Sequence, residues 1–255
     1  MFYPRIKSEI REPDPRDEEF YQDKLYILEH VRDVLLRNIE QLRLESEEQQ
    51  GRDPGDHCKS RIKSALSMEE KLTRRGLPVT LTAALENIRD AVGVRVVCPF
   101  LDDVYLVRDW LSGCPGLRLV EEKDYIANPK PNGYRSLHLI VAVPVPMIRG
   151  HQECMAEIQI RTLAMDFWAA LEHQLKYKQQ IGDEETIVAE LKRCADETSS
   201  TDINLLALRE LITAGKEELS PAGSDKQQPE IKKHSALRPS LKRRHQYRHL
   251  KEAVH

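Results

Sequence analysis

Within residues 123–177 the sequence collects side chains that suit a substrate rich in phosphate groups. The loop KPNGYRSLH offers the charge of Lys130 and the amide of Asn132, and Gly133 lets phosphate oxygens approach backbone N–H donors that a side chain would block. Tyr134 follows where a strand should begin. A phosphate-binding loop beside an exposed aromatic ring indicates a nucleotide site.

The segment EIQIRT adds a second set of polar groups. Glu157, Gln159 and Arg161 alternate with Ile158 and Ile160, so in a strand the three polar side chains share one face while the isoleucines pack behind it. A carboxylate, an amide and a guanidinium in a row indicate the floor of a site for a metal-bound nucleotide.

Helices predicted in the first third of the chain would support these groups. Over 17–50, apolar residues separated by steps of three and four predict one amphipathic helix: Tyr21, Leu25, Leu28, Val31, Leu35, Ile39 and Leu42. Ser67 and Glu70 predict a capping box for a short helix that ends at Gly76. Another helix is expected over about 80–89.

The middle of the chain alternates between strand and helix patterns. GVRVVCPF predicts a buried strand, LDDVYLVRDWLSG a helix capped near Asp102, and LRLVEEKDYI a second strand. SLHLIVAVPV and ECMAEIQI predict an antiparallel hairpin with a turn at Arg149 and Gly150. Helices are expected over about 162–178 and 184–217. The pattern predicts an α/β fold, a sheet with helices packed around it.

Both C-terminal helices carry apolar side chains. Five residues of the first have helical spacing and are expected in the core: Met165, Phe167, Trp168, Leu171 and Leu175. The segment 183–215 carries more apolar surface than a domain edge needs, at Ile187, Leu191, Cys194, Leu205, Leu208, Leu211 and Ile212. We expect this segment to pack against another subunit.

Composition bounds the class of protein. The 255 residues are 40% hydrophobic, which is enough to bury a sizeable core. The five cysteines show no CxxC or metal-ligand spacing and indicate reduced thiols, and the N-terminus has no apolar targeting segment. We expect a soluble, cytoplasmic protein without a membrane span. Residues 226–255 hold nine Lys and Arg against two acids, and this tail follows a polar linker.

Three separated motifs, GYRSLH, EIQIRT and WAALEH, stand in the order in which the synthetase domain of the RelA/SpoT homologues has them. Over roughly residues 17–215 the sequence resembles this family, and the absence of other domains resembles the small alarmone synthetases. The resemblance implies a nucleotidyltransferase-like domain with a mixed, roughly five-stranded sheet surrounded by helices, and helical N- and C-terminal segments. The expected organisation is an extension (1–16), the synthetase domain (17–182), an oligomerisation helix (183–219) and a basic, disordered tail (220–255).

The resemblance also implies a reaction, (p)ppGpp synthesis in the stringent response. The β,γ-pyrophosphate of ATP moves to the ribose 3′-hydroxyl of GDP or GTP with Mg²⁺ as cofactor. The repulsion between two polyanions must be offset by the metal and by fixed cations. Asp90 and Glu157 match the acids that bind the metal, and Glu157 is expected to accept the hydroxyl proton.

Other positions match the family's nucleotide-binding residues. The residues expected to bind ATP are Arg61, Lys63, Ser67 and Arg95. Those expected to bind GDP or GTP are Lys123, Lys130, Asn132, Tyr134, His138, Gln159, Arg161 and His173, with the ring of Tyr134 stacked on guanine. Lys59 and Ser60 stand where the family usually has threonine and glycine, which affects the expected ATP affinity. Asp166 replaces an asparagine frequent in close relatives and would repel a regulatory phosphate group.

Three functional alternatives remain open at this stage. The first is the synthetase, expected as a homo-oligomer with the tetramer favoured over the dimer. The second is a toxic relative that pyrophosphorylates tRNA or an adenine nucleotide, for which the tail KRRHQYRHLK offers an RNA contact. The third is an inactive nucleotide-sensing oligomer. Hydrolysis of the alarmone is not expected, because His30 and Asp33 lie on a helix without a second metal-ligand cluster.

Overall fold

The structure of the chain, a computed structural model, describes residues 14–147, 150–177 and 184–218. Its five strands are β1 (His57–Ile62), β2 (Val92–Cys98), β3 (Arg118–Asp124), β4 (Leu137–Met147) and β5 (Gly150–Thr162). They form one sheet in the order β1-β2-β5-β4-β3. The β2–β5 pair is parallel and the other pairs are antiparallel, which confirms the expected mixed α/β sheet.

The sheet register brings three strands of the site together. Gln159 on the central strand β5 pairs with Arg95 on β2 and with His138 on β4. Glu157 lies opposite Ile140 on β4, two residues from His138 along the same face. The predicted hairpin is the β4–β5 pair. Its expected turn residue Arg149 lies outside the described residues.

The N-terminal helix predicted over 17–50 is two helices. They are α1 (Pro15–Tyr21) and α2 (Leu25–Gln50), separated by a 3₁₀ turn at Gln22–Lys24. Gln22 has φ 50° and ψ −133°, so the α-helix cannot continue through it. The apolar stripe of α2 is buried as predicted and packs on the sheet.

Two predicted helix caps are wrong. In α3 (Ala65–Arg74) the cap is Ser64, whose Oγ accepts from the Ser67 backbone N–H at 3.3 Å. Ser64 is extended and Ser67 is already helical, so Ser67 cannot serve as the N-cap. In α5 (Leu101–Gly113) the N-cap is Phe100, which makes no side-chain cap bond. The helix between them, α4 (Leu81–Asn87), is capped by Thr80.

The last two helices are α6 (Leu163–Tyr177) and α7 (Glu184–Glu218), close to the predicted bounds. On α6, Met165 and Trp168 are buried as expected, but Phe167, Leu171 and Leu175 are 64%, 41% and 47% exposed. The core prediction is wrong for these three residues, because helical spacing alone does not say whether both faces of a helix are covered.

The residues up to Asp202 belong to one compact unit, and Ile203–Glu218 belong to a second. The core of the first unit lies between the sheet and its helices, and among its largest fully buried side chains are Leu28, Leu35, Ile158 and Ile160. All five cysteines are free, and four of them are buried. No helix among the described residues is long and apolar enough to cross a membrane. The basic tail lies outside the described residues, and the proposed domain bounds stay predictions.

Candidate active site

Five predicted site residues form a closed ring of hydrogen bonds on one face of the sheet. Arg161 Nη2 contacts the Tyr134 hydroxyl at 2.6 Å and Gln159 Oε1 at 3.0 Å. Gln159 Nε2 donates to Glu157 Oε2 at 2.9 Å. His138 closes the ring, with Nδ1 3.0 Å from Glu157 Oε1 and Nε2 2.8 Å from the Tyr134 hydroxyl. The three polar groups of β5 therefore share one face, as the alternation predicts.

Two paths of hydrogen bonds lead from Arg161 to Glu157, one through Gln159 and the other through Tyr134 and His138. Arg161 can only donate and an ionised Glu157 can only accept. The consistent assignment for a neutral imidazole places the His138 proton on Nδ1, facing Glu157, while Nε2 accepts from the Tyr134 hydroxyl. The ring thus joins Tyr134, which is expected to stack on guanine, to Glu157, which is expected to bind the metal and accept the hydroxyl proton.

Glu157 is held as a carboxylate. Burial acts to raise its pKa, but the hydrogen bonds from His138 and Gln159 act against burial, and the pKa lies below its ordinary value. An ionised acid is what a metal ligand or a proton acceptor requires.

Asp90, two residues before the start of β2, is held by two ammonium groups. Lys71 Nζ lies 2.7 Å from one of its oxygens and Lys63 Nζ 3.2 Å from the other. Burial acts to raise the pKa of Asp90, but the hydrogen bond from Lys71 and the charges of both lysines outweigh it and lower the pKa. Burial also lowers the pKa of Lys63, and Asp90 opposes that shift.

Both acids line one cavity of about 330 Å³. Four cationic side chains line the same cavity: Lys71, Arg75, Arg89 and Lys123. Lys123 is exposed and pairs with Glu121 at 3.2 Å. Glu121 is the third acid of the lining and also pairs with Arg89 at 2.9 Å. Asp90 and Glu157, among these four cations, can receive a metal ion together with phosphate groups.

A further acid, Asp166, joins an arginine of β2 to an arginine of β5. Asp166 Oδ1 lies 3.1 Å from both Arg95 Nη1 and Arg161 Nη1. Arg95, which valines flank on β2, therefore has a carboxylate partner within the chain. Burial and the charge of Arg161 lower the pKa of Arg95, while Asp166 opposes the shift. The added charge of Asp166 is therefore paired within the chain.

The loop before β4 carries the remaining predicted contacts. Lys130 Nζ lies 4.7 Å from the ring centroid of Tyr125 and 4.8 Å from that of Tyr134, as a cation–π contact. Asn132 Nδ2 donates to Glu172 Oε1 at 3.0 Å, and its side-chain oxygen accepts from the Tyr134 backbone N–H at 3.2 Å. The amide thus fixes the loop rather than pointing freely at a ligand.

Helix α1 positions the segment expected to bind ATP. The Tyr21 hydroxyl, fully buried, donates to the carbonyl of Lys63 at 2.6 Å. Asp17 Oδ1 accepts from the Ala65 backbone N–H at 2.7 Å. Arg61 is at the end of β1, opposite Gly93, with its side chain exposed. The sequence pattern did not predict β1 as a strand, nor this support from α1.

Two predicted residues are not joined to these contacts. Ser67 bonds to Ser64 at the start of α3, and His173 is exposed on α6 with no contact to the described site residues. Lys71 contacts Asp90 but was not among the predicted site residues, and Asp166 was not predicted to pair with the arginines of the site. The position of Lys71 four residues after Ser67, on the same face of α3, was the available signal.

The fold and the site define an enzyme that transfers phosphate groups between nucleotides. Residues 60–182 match the family model described as a region found in RelA/SpoT proteins. The GTP pyrophosphokinase YwaC of Bacillus subtilis is 44% identical over 162 residues, 64% of this chain and 77% of the relative. The GTP pyrophosphokinase YjbM of the same species is 36% identical over 156 residues, 61% of this chain and 72% of the relative.

Solved structures agree with these sequence relatives. Small alarmone synthetase 1 of Bacillus subtilis, bound to its product pppGpp, matches with a TM-score of 0.66 and 32% identity, over 78% of this chain and 99% of that one. Small alarmone synthetase 2 of the same species matches with a TM-score of 0.65 and 39% identity, over 74% and 98%. The chain belongs to the RelA/SpoT family, and within that family it is similar to the small alarmone synthetases.

Proposed function

We propose that this enzyme is a GTP pyrophosphokinase, a (p)ppGpp synthetase that transfers the β,γ-pyrophosphate of ATP to the ribose 3′-hydroxyl of GDP or GTP. One observation carries the proposal. Asp90 and Glu157, both with lowered pKa values, line one cationic cavity, and a hydrogen-bonded chain joins Glu157 to the aromatic ring of Tyr134.

Asp90 and Glu157 would hold Mg²⁺. Among the described residues no group of three or more His, Cys, Asp or Glu side chains could hold a metal by itself. Two carboxylates on one cavity fit Mg²⁺, which usually takes one or two protein carboxylates and completes its shell with water and substrate phosphates. When bound, the ion would neutralise the phosphate charge that develops during transfer.

The cations divide between the two substrates. Arg61, Lys63 and Arg95 would bind the ATP phosphates, and Lys71, which shares Asp90 with Lys63, would join them. A nucleotide phosphate that contacts Lys63 and Lys71 would replace Asp90 as their counter-charge and free its oxygens for the metal. This exchange would keep the lysines paired in the presence and absence of substrate.

The guanine nucleotide would lie on the Tyr134 side, where its base stacks on the ring. Lys130 is exposed and held there by cation–π contacts, so it can turn from the rings to the nucleotide phosphates. The ribose 3′-hydroxyl would then lie near Glu157, which would accept its proton while His138 and Gln159 hold the carboxylate in place.

We also propose a homo-oligomer, tetramer before dimer, in the cytoplasm, where its nucleotides are abundant. Exposed apolar side chains support assembly: Leu205, Leu208, Leu211 and Ile212 on the second half of α7, and Phe167 and Leu171 on α6. Ile187 and Leu191, which the sequence analysis placed in the interface, pack inside the chain against Trp168. The proposed interface therefore moves to the second half of α7 and to α6.

One assay tests the reaction. Purified protein is incubated with ATP labelled in its terminal phosphate, Mg²⁺, and GDP, GTP or tRNA, and the labelled product is identified. We expect labelled GDP and GTP derivatives and no label on tRNA. Label on tRNA or an adenine nucleotide would support the toxic-relative alternative, and no transfer at all would support an inactive nucleotide sensor.

A further inference from the structure

The loop that carries Tyr134 lies directly against the first half of α7. Gly133 has φ +87°, and a Cβ built on it would lie 2.6 Å from Ala195 Cβ and 3.2 Å from Lys192 Cα. Only glycine fits a backbone that combines this left-handed φ with such a close approach to a neighbouring helix. Because Ala195 is 4% exposed and backbone lines the contact, neither side can give way easily.

Polar contacts hold the same loop to the same helix turn. Arg135 Nη1 donates to the Ala195 carbonyl at 3.3 Å and to the Gly133 carbonyl at 3.2 Å. Its Nη2 pairs with Asp196 at 2.9 Å. One guanidinium therefore bridges the loop backbone, the helix backbone and a helix side chain.

The ring of Tyr134 rests on the same support. Trp168 Nε1 donates to the Leu191 carbonyl at 2.9 Å, and Trp168, Leu191 and Ala195 form a buried cluster. Tyr134 packs against this cluster, with its ring centroid 6.5 Å from that of Trp168. The hydroxyl of Tyr134 is fixed by the hydrogen-bonded ring, so the cluster fixes the other side of the aromatic ring.

We infer that the first half of α7 is a positioning element of the guanine site, with Ala195 and Asp196 as the residues that set the height and angle of Tyr134. The inference rests on the proposed function, in which Tyr134 stacks on guanine. It assigns Ile187, Leu191, Ala195 and Asp196 a role in substrate affinity that is separate from the subunit contacts proposed for the second half of the helix. These residues touch no proposed ATP ligand, so their effect should be confined to the guanine nucleotide.

Ala195→Val tests the inference, because two added methyl groups must push Gly133 and Tyr134 away from α7. The matched control is Ala189→Val, the same change at an exposed position of the same helix. We expect Ala195→Val to raise KM for GDP and GTP about tenfold or more and KM for ATP less than about twofold, as for loss of positioning at one substrate only. The control should change neither constant.

Asp196→Ala provides the second variant, since this carboxylate is 54% exposed and its loss should leave the fold intact. It should raise KM for GDP about two- to threefold through loss of the Arg135 pair. Circular dichroism and urea unfolding check that all three variants are folded, and GDP binding by calorimetry repeats the comparison without ATP.

The outcomes separate the inference from the proposed function. If the wild-type chain labels neither GDP nor GTP, the proposed function fails. If the wild type is active and neither folded variant alters KM for the guanine nucleotide more than KM for ATP, the inference is wrong and the proposed function stands.

Discussion

Glu157 and Asp90 are both ionised, but their surroundings prepare them for different tasks. Glu157 accepts from His138 and Gln159, which are held by the rest of the ring, so its orientation is fixed before substrate arrives. Asp90 is paired with two lysines, and a nucleotide phosphate can replace it as their partner. The first arrangement suits a proton acceptor and the second suits a metal ligand whose oxygens become available on substrate binding.

Glu157→Gln and Asp90→Asn should each lower kcat by at least about 100-fold while the chain stays folded. The amide keeps the size of each side chain but removes the negative charge that the metal and the transferred proton require. Steady-state kinetics with saturating Mg²⁺ measures the loss, and circular dichroism checks the fold.

The matched control for the acids is Glu153→Gln, on the same strand but outside the cavity, where the carboxylate pairs with Arg118 on the surface. This variant should keep near wild-type turnover. Near-normal turnover by Glu157→Gln would remove Glu157 from the mechanism.

Tyr134→Ala should raise KM for GDP and GTP more than KM for ATP, because the ring is proposed to stack on guanine alone. Loss of one stacked aromatic side chain corresponds to about 1–3 kcal/mol, or roughly a 5- to 150-fold change. Tyr134→Phe keeps the ring but removes the hydroxyl between Arg161 and His138, so it should lower kcat more than it raises KM.

Initial-rate measurements with each nucleotide varied in turn test both Tyr134 variants. Equal increases in both KM values with Tyr134→Ala would mean that the change damages the site generally. An unchanged kcat in Tyr134→Phe would show that the hydrogen-bonded ring has no part in turnover.

The residue types and spacing of β5 predicted three of the five residues of the ring, since alternation alone places Glu157, Gln159 and Arg161 on one face. No local pattern could predict that Asp166, from a helix, would pair with arginines of two strands. The same holds for Lys71, whose contact with Asp90 spans 19 positions in sequence. Contacts between distant segments depend on packing that the local periodicity does not specify.

At the scale of elements, a buried acid joins α7 to the junction of β5 and α6. The hydroxyl of Thr162 contacts Asp202 Oδ2 at 2.6 Å and accepts from the Met165 backbone N–H at 3.1 Å. Burial raises the pKa of Asp202 to about 6, against the effects of the Thr162 hydrogen bond and the charge of Arg135. The pKa of the carboxyl group that holds this helix is therefore about 6, well above its ordinary value.

Asp202 should make the chain more stable in mild acid. Its folded pKa lies above the unfolded value, so the folded chain binds the proton more tightly. This stabilisation is fully present below about pH 4 and is lost as the pH rises through about 6, with a total of about 3 kcal/mol. Asp202→Asn should remove the dependence, so the variant gains about 1 kcal/mol relative to wild type between pH 5 and pH 7.5.

Urea unfolding of both chains at the two pH values measures this difference. Glu185→Gln, an exposed acid on the same helix, is the control and should run parallel to wild type. A stability difference between Asp202→Asn and wild type that is the same at both pH values would contradict the raised pKa.

Element types followed from the sequence more readily than their ends and partners. The end of α2 and both ends of α7 were predicted within a few residues, but the start of α2 was not. The cap of α3 was missed because Ser64 and Ser67 are both suitable residues, and only the extended backbone of Ser64 decides between them. The break after α1 was missed because the apolar spacing continues across Gln22.

At the scale of the whole molecule, apolar side chains remain uncovered on two helices. On α6, Phe167 and Leu171 are four residues apart and exposed. On α7, Leu205, Leu208 and Ile212 follow steps of three and four and are about half exposed, and Leu211 is 71% exposed. Each stripe has the spacing that predicts a packed face, so a second copy of the chain is the partner that we propose for them.

Leu211→Lys and Phe167→Lys should each weaken this assembly, because a lysine in an apolar subunit contact costs about 2 kcal/mol or more for every copy. Val79→Lys, at an exposed apolar residue in the turn before α4, is the matched control and should leave the mass of the oligomer unchanged.

Truncation after Ser220 should also leave the mass of the oligomer unchanged, because the tail has no apolar stripe and follows a polar linker. Light scattering at micromolar concentration should give a tetramer for wild type and smaller species for the two lysine variants. A wild-type chain that stays monomeric, or a tail truncation that dissociates the oligomer, would show that the contacts lie elsewhere.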